Sequence, residues 1–424
     1  MPAELPGLYW DEARNRYFPL SSRPKQPQSQ PPNAASSNVH KDAKATKVGV
    51  GQKRKPCHVP WHANLGRLAT NSYMQMLKNS HEILCFQYAS SSRVTSDRLP
   101  TLGSMQAFCS SHLGQVAWRF IGDDQGWLYS DKSVQPERRN GINYWSADLN
   151  LQPSSPISSI RISGSHCVTT CLGPGKLSVQ DMSTPERMFL LNLAGVHDIW
   201  ASDLQGQSLV LGASKKAVYI SDIDLSRSPE YLQTGSDVFS VIKDKALLYA
   251  GTRNGAVERF DLRMPKYQSQ KLFDNRFEGN PRSSVLHLSV IRDHGLLLSH
   301  LNGDLLTFDL RFTSSAFNPI QVFAGHINTH TRNLGITVDH ERDLLFAAGQ
   351  DCRIRGWSLR TGEAVLPPKS LPNVQHPANP FLTTFIEPVC ALQVTEELDE
   401  AGISLWAASG RDLHQFHLGQ RQIE

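Results

Sequence analysis

Residues whose types and spacing could do chemistry are few in this 424-residue chain. His326 and His330 stand four apart, a spacing that can bring two imidazoles to one metal, but Asn328-Thr329-His330-Thr331-Arg332-Asn333 reads as a loop. Gly325 directly before His326 points to a structural role for that ring instead. Asp123-Asp124 and Glu396-Glu397 are adjacent carboxylate pairs in predicted turns. Adjacency does not give the separation that glycoside chemistry needs, so both read as solvated turns. The cysteines at 57, 85, 109, 167, 171, 352 and 390 form no CxxC pair and leave one over, which argues against a disulfide framework or a zinc cluster. Cys167 and Cys171 are four apart in a predicted strand and so share a face, where they are expected to pack. No G-x-S-x-G elbow, Walker loop, G-x-G-x-x-G or H-E-x-x-H is present. The expectation is a protein with no enzymatic activity and no cofactor.

Recognition chemistry is more prominent. Phe260-Asp261-Leu262-Arg263, Phe308-Asp309-Leu310-Arg311 and Trp357-Ser358-Leu359-Arg360 lie 48 and 49 residues apart at their second positions. A guanidinium is a planar five-donor fork that bonds carboxylates or carbonyls two at a time, which a lysine does not reproduce. Three forks at equivalent places in successive repeats would stand side by side and could bind a partner. The alternative is that each Arg pairs with the Asp of its own repeat.

Stepping outward from these motifs, the elements that carry them repeat seven times. Apolar segments end near Asp131, Asp181, Asp222, Asp261, Asp309, Ser358 and His417. Turn formers stand six residues before the aromatic or equivalent position at Asp124, Asn254, Asn302 and Asp351, with Pro174 and Lys215 in the second and third repeats. The spacing is close to the ~40–45 residues of a WD-type propeller blade, and Gly325-His326 stands 31 residues before Trp357 as the Gly-His of such a repeat. The fold expected is all-β: a seven-bladed WD-type β-propeller over 82–424. The last repeat supplies three strands, near 388–394, 403–408 and 412–418, and Ile83-Leu84-Cys85-Phe86-Gln87-Tyr88 is expected to supply the fourth and close the ring. Trp118, Trp127, Trp145, Trp200 and Trp406 are expected to pack in or between blades.

Three segments precede the body. Residues 1–20 hold two aromatic clusters, Tyr9-Trp10-Asp11 and Arg16-Tyr17-Phe18, the pattern of a short hairpin or recognition motif. From 21 to 56 the composition falls to Ser, Pro, Gln, Asn, Ala and Lys, a disordered linker that ends in the basic run Lys53-Arg54-Lys55, a possible nuclear-import signal. Over 57–81, Leu65, Leu68, Ala69, Tyr73, Met76 and Leu77 fall on one face of a helix expected over 64–79, capped by Asn64. Such a helix docks on its own propeller or enters a partner's groove, with Leu65, Leu68, Tyr73 and Met76 as its contacts.

Charge divides unevenly. The first 90 residues carry a net +7 and the rest a net −3, so the body is mildly acidic and direct nucleic-acid binding is not expected of it. The chain opens without the basic-then-apolar pattern of a secretion signal, and no run approaches about 18 apolar residues, so an intracellular protein of the nucleus and/or cytoplasm, with no membrane partner, is expected.

The Arg motifs in successive repeats resemble those of WD-repeat substrate receptors for cullin-4 RING ubiquitin ligases. The opening Leu5-Pro6-Gly7-Leu8-Tyr9-Trp10-Asp11 with Arg16-Tyr17-Phe18 is more specific, and resembles the P-G-[FY]-Y-[YW]-D…R-Y-F opening of the subgroup called cullin-4-associated factor 4. The resemblance covers the first 20 residues and about 82–418. It implies that one propeller rim and an upstream helix engage the damage-specific DNA-binding adaptor that bridges to the cullin, and that another surface recruits a protein substrate. Arg263 and Arg311, with Asp261 and Asp309, are the adaptor contacts it implies, and Arg360 a third. The sequence departs from the pattern in having Phe in two motifs and Ser358 for Asp in the last. A WD scaffold in a nuclear assembly such as ribosome biogenesis or chromatin is the competing reading.

Overall fold

The computed structural model describes residues 8–11, 16–19, 61–134, 145–184, 187–225, 228–264, 268–273, 283–313, 318–367, 378–397 and 402–421. The chain divides into two units, Met1–Asn64 and Leu65–Glu424. In the first, Leu8–Asp11 pairs antiparallel with Arg16–Pro19, with Tyr9 opposite Phe18 and Trp10 opposite Tyr17, so the two aromatic clusters form a hairpin. The Lys53-Arg54-Lys55 run and the 21–56 linker lie outside the described residues.

The second unit contains seven four-stranded antiparallel sheets. Blades 1 to 6 begin at Met105, Ile157, Ala201, Val238, Val285 and Ile336, and blade 7 at Val389. Their second strands are buried on both faces and read as unbroken apolar or small runs: Leu344–Ala348 and Ile403–Ser409 are buried at every position. Asn302-Gly303 shows what the turns before the third strands require. Gly303 has φ 91°, and a Cβ there would lie 3.0 Å from the Asn328 carbonyl oxygen, so no other residue fits without strain. The predicted third strands all form: four end at the positions read from the sequence, and those of blades 1, 3 and 7 end at Val134, Ile220 and Leu418, three beyond, two short of and one beyond theirs.

Seven apolar clusters fill the seven blade–blade interfaces. One joins Met105, Phe108 and Ile121 of blade 1 to Trp406, Ala408 and Leu413 of blade 7, which makes the ring closed. Cys167 and Cys171 share the cluster between blades 1 and 2, as expected from their common face. Each first strand runs from one face of the ring to the other and each third strand parallels it. The Arg-bearing ends of the third strands therefore lie on the face where first strands end, opposite the face where they begin.

Closure differs from the sequence expectation. The strand that completes blade 7 is Arg93–Arg98, pairing antiparallel with Asp412–Leu418 (Val94 opposite Phe416, Arg98 opposite Asp412). Residues 83–88 are helical: one helix, α1, runs from Trp61 to Ala89. The helical face continues past residue 79 through Leu77, His81, Leu84 and Tyr88, and this periodicity outweighs the β-like run Ile83-Leu84-Cys85-Phe86. Since α1 starts at Trp61, Asn64 lies inside it and is not its cap. Tyr88 and Ala89 are buried among Leu344, Phe346, Phe385 and Phe416 of blades 6 and 7 and the loop joining them, with Leu84 and Cys85 against the same cluster.

Candidate protein-docking face

Arg263 and Arg311 are built alike. The carboxylate of Asp261 accepts Nε–H (2.9 Å) and Nη2–H (2.6 Å) from Arg263, and Asp309 accepts the same two groups from Arg311 at 2.9 and 2.6 Å. Each Asp also accepts the backbone N–H two residues on, at 3.0 and 2.9 Å. That backbone bond is the more general part of the motif: Asp181 and Asp222 make it to Ser183 and Asp224 in blades 2 and 3, where no Arg follows. The Asp thus closes the turn after the third strand, and the Arg is added to it in blades 4 and 5. These bonds hold both carboxyls down to about 2, so the pairs stay ionised through the physiological range.

Pairing within the motif does not bury the guanidinium. The Arg263 and Arg311 side chains are 72% and 59% exposed, while that of Asp309 is 10% exposed. An exposed apolar side chain follows each, Met264 and Phe312, and the Arg311 guanidinium lies 5.8 Å from the Phe312 ring centroid. A held, outward fork beside a methionine or phenylalanine is a surface suited to a protein partner, since Arg, Met and aromatic residues are enriched at interface centres.

Blade 6 departs from this plan. Ser358 stands where Asp261 and Asp309 stand in the preceding blades, and Arg360 bonds Asp343 instead (Nε–H to Oδ2, 2.7 Å), which also accepts from Arg292 of blade 5 at 3.1 Å. The Ser358 hydroxyl meets His81 of α1, Oγ to Nε2 2.7 Å. The loss of the carboxylate is therefore where the helix docks. The buried Asn379 amide adds a second anchor, donating to the carbonyls of Ala89 (2.8 Å) and Ser91 (2.9 Å). Neither His81 nor Asn379 was signalled by the sequence, because each partner lies more than 270 residues away.

With Leu77, His81, Leu84 and Tyr88 toward the propeller, the other side of α1 carries Met76, Ile83 and Phe86, each more than half exposed, while Tyr73, also more than half exposed, lies one turn before Leu77. Tyr73 and Met76, two of the four helix residues singled out in the sequence, are exposed. Ile83 and Phe86 extend the stripe of Met76, although the apolar run that holds them has the pattern of a strand. Leu65 and Leu68 lie in α1, with side chains outside those described. The helix and the Arg motifs share one face of the ring, with Arg360 beside the helix and Arg311 and Arg263 on the next two blades.

Elsewhere, His326 is buried with Nδ1 and Nε2 each 3.1 Å from a carbonyl oxygen, of Gly303 and Ala348, while His330 contacts Thr329 and Gln350. The two rings do not converge on a metal, and no group of three or more metal-ligating side chains occurs among the described residues. No helix among those residues is long and apolar enough to cross a membrane.

Several known proteins are related in sequence, among them two named for WD repeats. The chain is 23% identical over 343 residues to human DDB1- and CUL4-associated factor 4-like protein 2, which covers 77% of this chain and 78% of that protein. It is 26% identical over 169 residues to human DDB1- and CUL4-associated factor 4, 38% of this chain and 31% of the relative. WD repeat-containing protein 21 of Schizosaccharomyces pombe is 32% identical over 150 residues, 34% of each chain. The match spans about a third of the length of the last two relatives. No protein-family model matches the chain.

Proposed function

From a WD-repeat chain related to the DDB1- and CUL4-associated factor 4 proteins, we propose a non-catalytic substrate-recruiting subunit of a cullin-4 RING ubiquitin ligase. Its docking partner is the damage-specific DNA-binding adaptor. The observation that carries this reading is the coincidence on one propeller face of two features: the apolar stripe of α1 and the Asp-held guanidiniums of Arg263 and Arg311. The stripe supplies apolar area, and the forks supply oriented donors for carbonyls or carboxylates at its edge. Arg360 takes a different part. Its bond to Asp343 shapes the seat of the helix, and it contributes to docking through α1.

The protein recruits rather than reacts, and a ligase of this design carries its chemistry on other subunits. Its opposite face is left for the substrate. The Tyr9-Trp10 hairpin and the Lys53-Arg54-Lys55 run are assigned to further contacts and to nuclear import, in a protein of the nucleus and cytoplasm. Affinity purification of the full chain tests the proposal. The adaptor and cullin-4 should co-purify, and should be lost when Met76 and Ile83 are both changed to Asp. Purification with nuclear assembly factors and without adaptor or cullin would support the scaffold reading in its place.

A further inference from the structure

The face opposite the Arg263–Arg311 rim opens on the central channel. In five blades the first strand starts with a register shift against the second, at Gln106, Ser158, Phe239, Leu286 and Cys390. All five residues line the channel mouth, and a bulge is a device that re-aims a side chain. Blades 3 and 6 pair without such a shift. There the mouth is lined by residues that precede the first strand, Trp200 and Arg332. Arg332 reaches from blade 6 across to blades 3 and 4. Its guanidinium carbon lies 3.9 Å from the Trp200 ring centroid and 5.9 Å from that of Phe239, a stacked cation held in place.

The chemistry of the mouth is one-sided. Arg161 and Arg332 line it as charged groups, His287 lines it with burial holding its imidazole neutral at about 4, and no carboxylate lines it among the described residues. Arg161 donates Nε–H to the Ser202 carbonyl at 2.9 Å, and Asp198, the acidic group that acts on Arg332, accepts the Gly173 N–H at 3.0 Å. Two buried polar atoms here, Trp200 Nε1 and His287 Nε2, have no hydrogen-bond partner among the described residues. An indole N–H is a donor only, so it lacks an acceptor. Donors and positive charge are gathered in a body whose net charge is −3, and what they lack is an anionic oxygen.

The volume, about 210 Å³, is below the roughly 300–1,000 Å³ of pockets for drug- or cofactor-sized ligands. It takes a side chain or two of an entering peptide. We propose that the channel mouth binds an acidic peptide segment of a protein substrate, with a Glu or Asp carboxylate held by Arg161 and Arg332 and accepting the Trp200 Nε1–H. This rests on the reading of the chain as a substrate receptor and gives its substrate class: proteins that present an exposed run of carboxylates.

Fluorescence polarisation with the full chain tests it, using a fluorescein-labelled Gly-Ser-flanked peptide with four glutamates, the same peptide with four glutamines, and one with phosphoserines. The glutamate peptide should bind saturably, weaken with added salt, and weaken roughly tenfold or more in Arg332→Ala and in Arg161→Ala. The glutamine peptide should not bind. Equal binding of the two peptides, binding of the phosphoserine peptide alone, or glutamate binding indifferent to both Arg variants overturns the proposal. Should Arg332→Ala fail to fold, Arg161→Gln, altered at a side chain exposed within the channel, gives the same reading. Adaptor pull-down on the same variants separates the two ideas. Peptide binding lost with adaptor retained assigns the channel, whereas adaptor absent with peptide binding intact removes the ligase reading and leaves the channel site standing.

Discussion

His81 Nε2 lies 2.7 Å from Ser358 Oγ, joining the helix ahead of the propeller to the one Arg motif that lacks its aspartate. Burial first, and then the positive charge of Arg360, hold the His81 imidazole below its ordinary value of 6.5. A histidine with a lowered folded-state value favours docking fully above pH ~6.5 and loses that contribution as pH falls through the lowered value. Hydrogen-exchange protection of residues 77–89 should therefore drop several-fold between pH 7.5 and pH 5, and His81→Gln should remove the pH-dependent part. Ser358→Asp should reverse the sign, because a carboxylate there favours the imidazolium. Unchanged protection across this range would exclude His81 as the clasp.

Arg263→Ala with Arg311→Ala should weaken adaptor capture at least tenfold and leave the melting temperature within a degree or two. Both guanidiniums are largely exposed, and surface ion pairs contribute little to folding. Asp261 and Asp309 still receive the backbone N–H that closes each turn. Asp309→Ala should behave differently, lowering the melting temperature as well, since it removes a nearly buried acceptor of that turn bond. Capture that survives the double Arg change in a folded protein would shift the docking site wholly onto α1.

The periodic parts of this molecule were legible in the sequence. Turn formers such as Asn302 and strand ends such as Asp261 repeat because each blade buries its second strand in the same way, and repetition reveals register, while the single Gly325-His326 pair marks one repeat as WD-type. The closing strand was not legible. Arg93–Arg98 is an outer strand with polar side chains, identified only by pairing with a segment more than 300 residues away. The apolar run at 83–88 drew the assignment instead, since a short run of that kind fits strand and helix alike. The Arg263 and Arg311 motifs could be found by spacing, but their pairing with Asp261 and Asp309 was one of two open readings until the geometry showed it. The channel mouth left no sequence signal, because Trp200, His287 and Arg332 meet only when the ring closes.

Four thiols, Cys167 and Cys171 buried and Cys109 and Cys390 partly buried at blade interfaces, should be silent in the folded protein. Burial pushes Cys109 and Cys171 up to about 11 and Cys390 up to about 12, and raises Cys167 as well. Thiolate is the reactive form, so these four should resist iodoacetamide at pH 8 and label fully in denaturant. Peptide mapping reads this directly. Rapid native labelling of Cys167 or Cys171 would contradict their place between blades 1 and 2.

Three shortened chains test how the ring is closed. A chain starting at residue 61 keeps α1 and Arg93–Arg98, and should be soluble and melt cooperatively. One starting at residue 92 keeps the closing strand but loses Tyr88 and Ala89 from the core between blades 6 and 7. Its loss of about 2–3 kcal/mol of burial should lower the melting temperature by roughly 5 °C. One starting at residue 99 loses Val94 opposite Phe416 and the Thr95–His417 contact at 3.3 Å, leaving Asp412–Leu418 as an open edge. Open edges pair with other chains, so this third protein should be aggregated, with light scattering as the readout. A monomer starting at residue 99 with an unchanged melt would show that blade 7 is stable with three strands, and that Arg93–Arg98 is an addition rather than the closure.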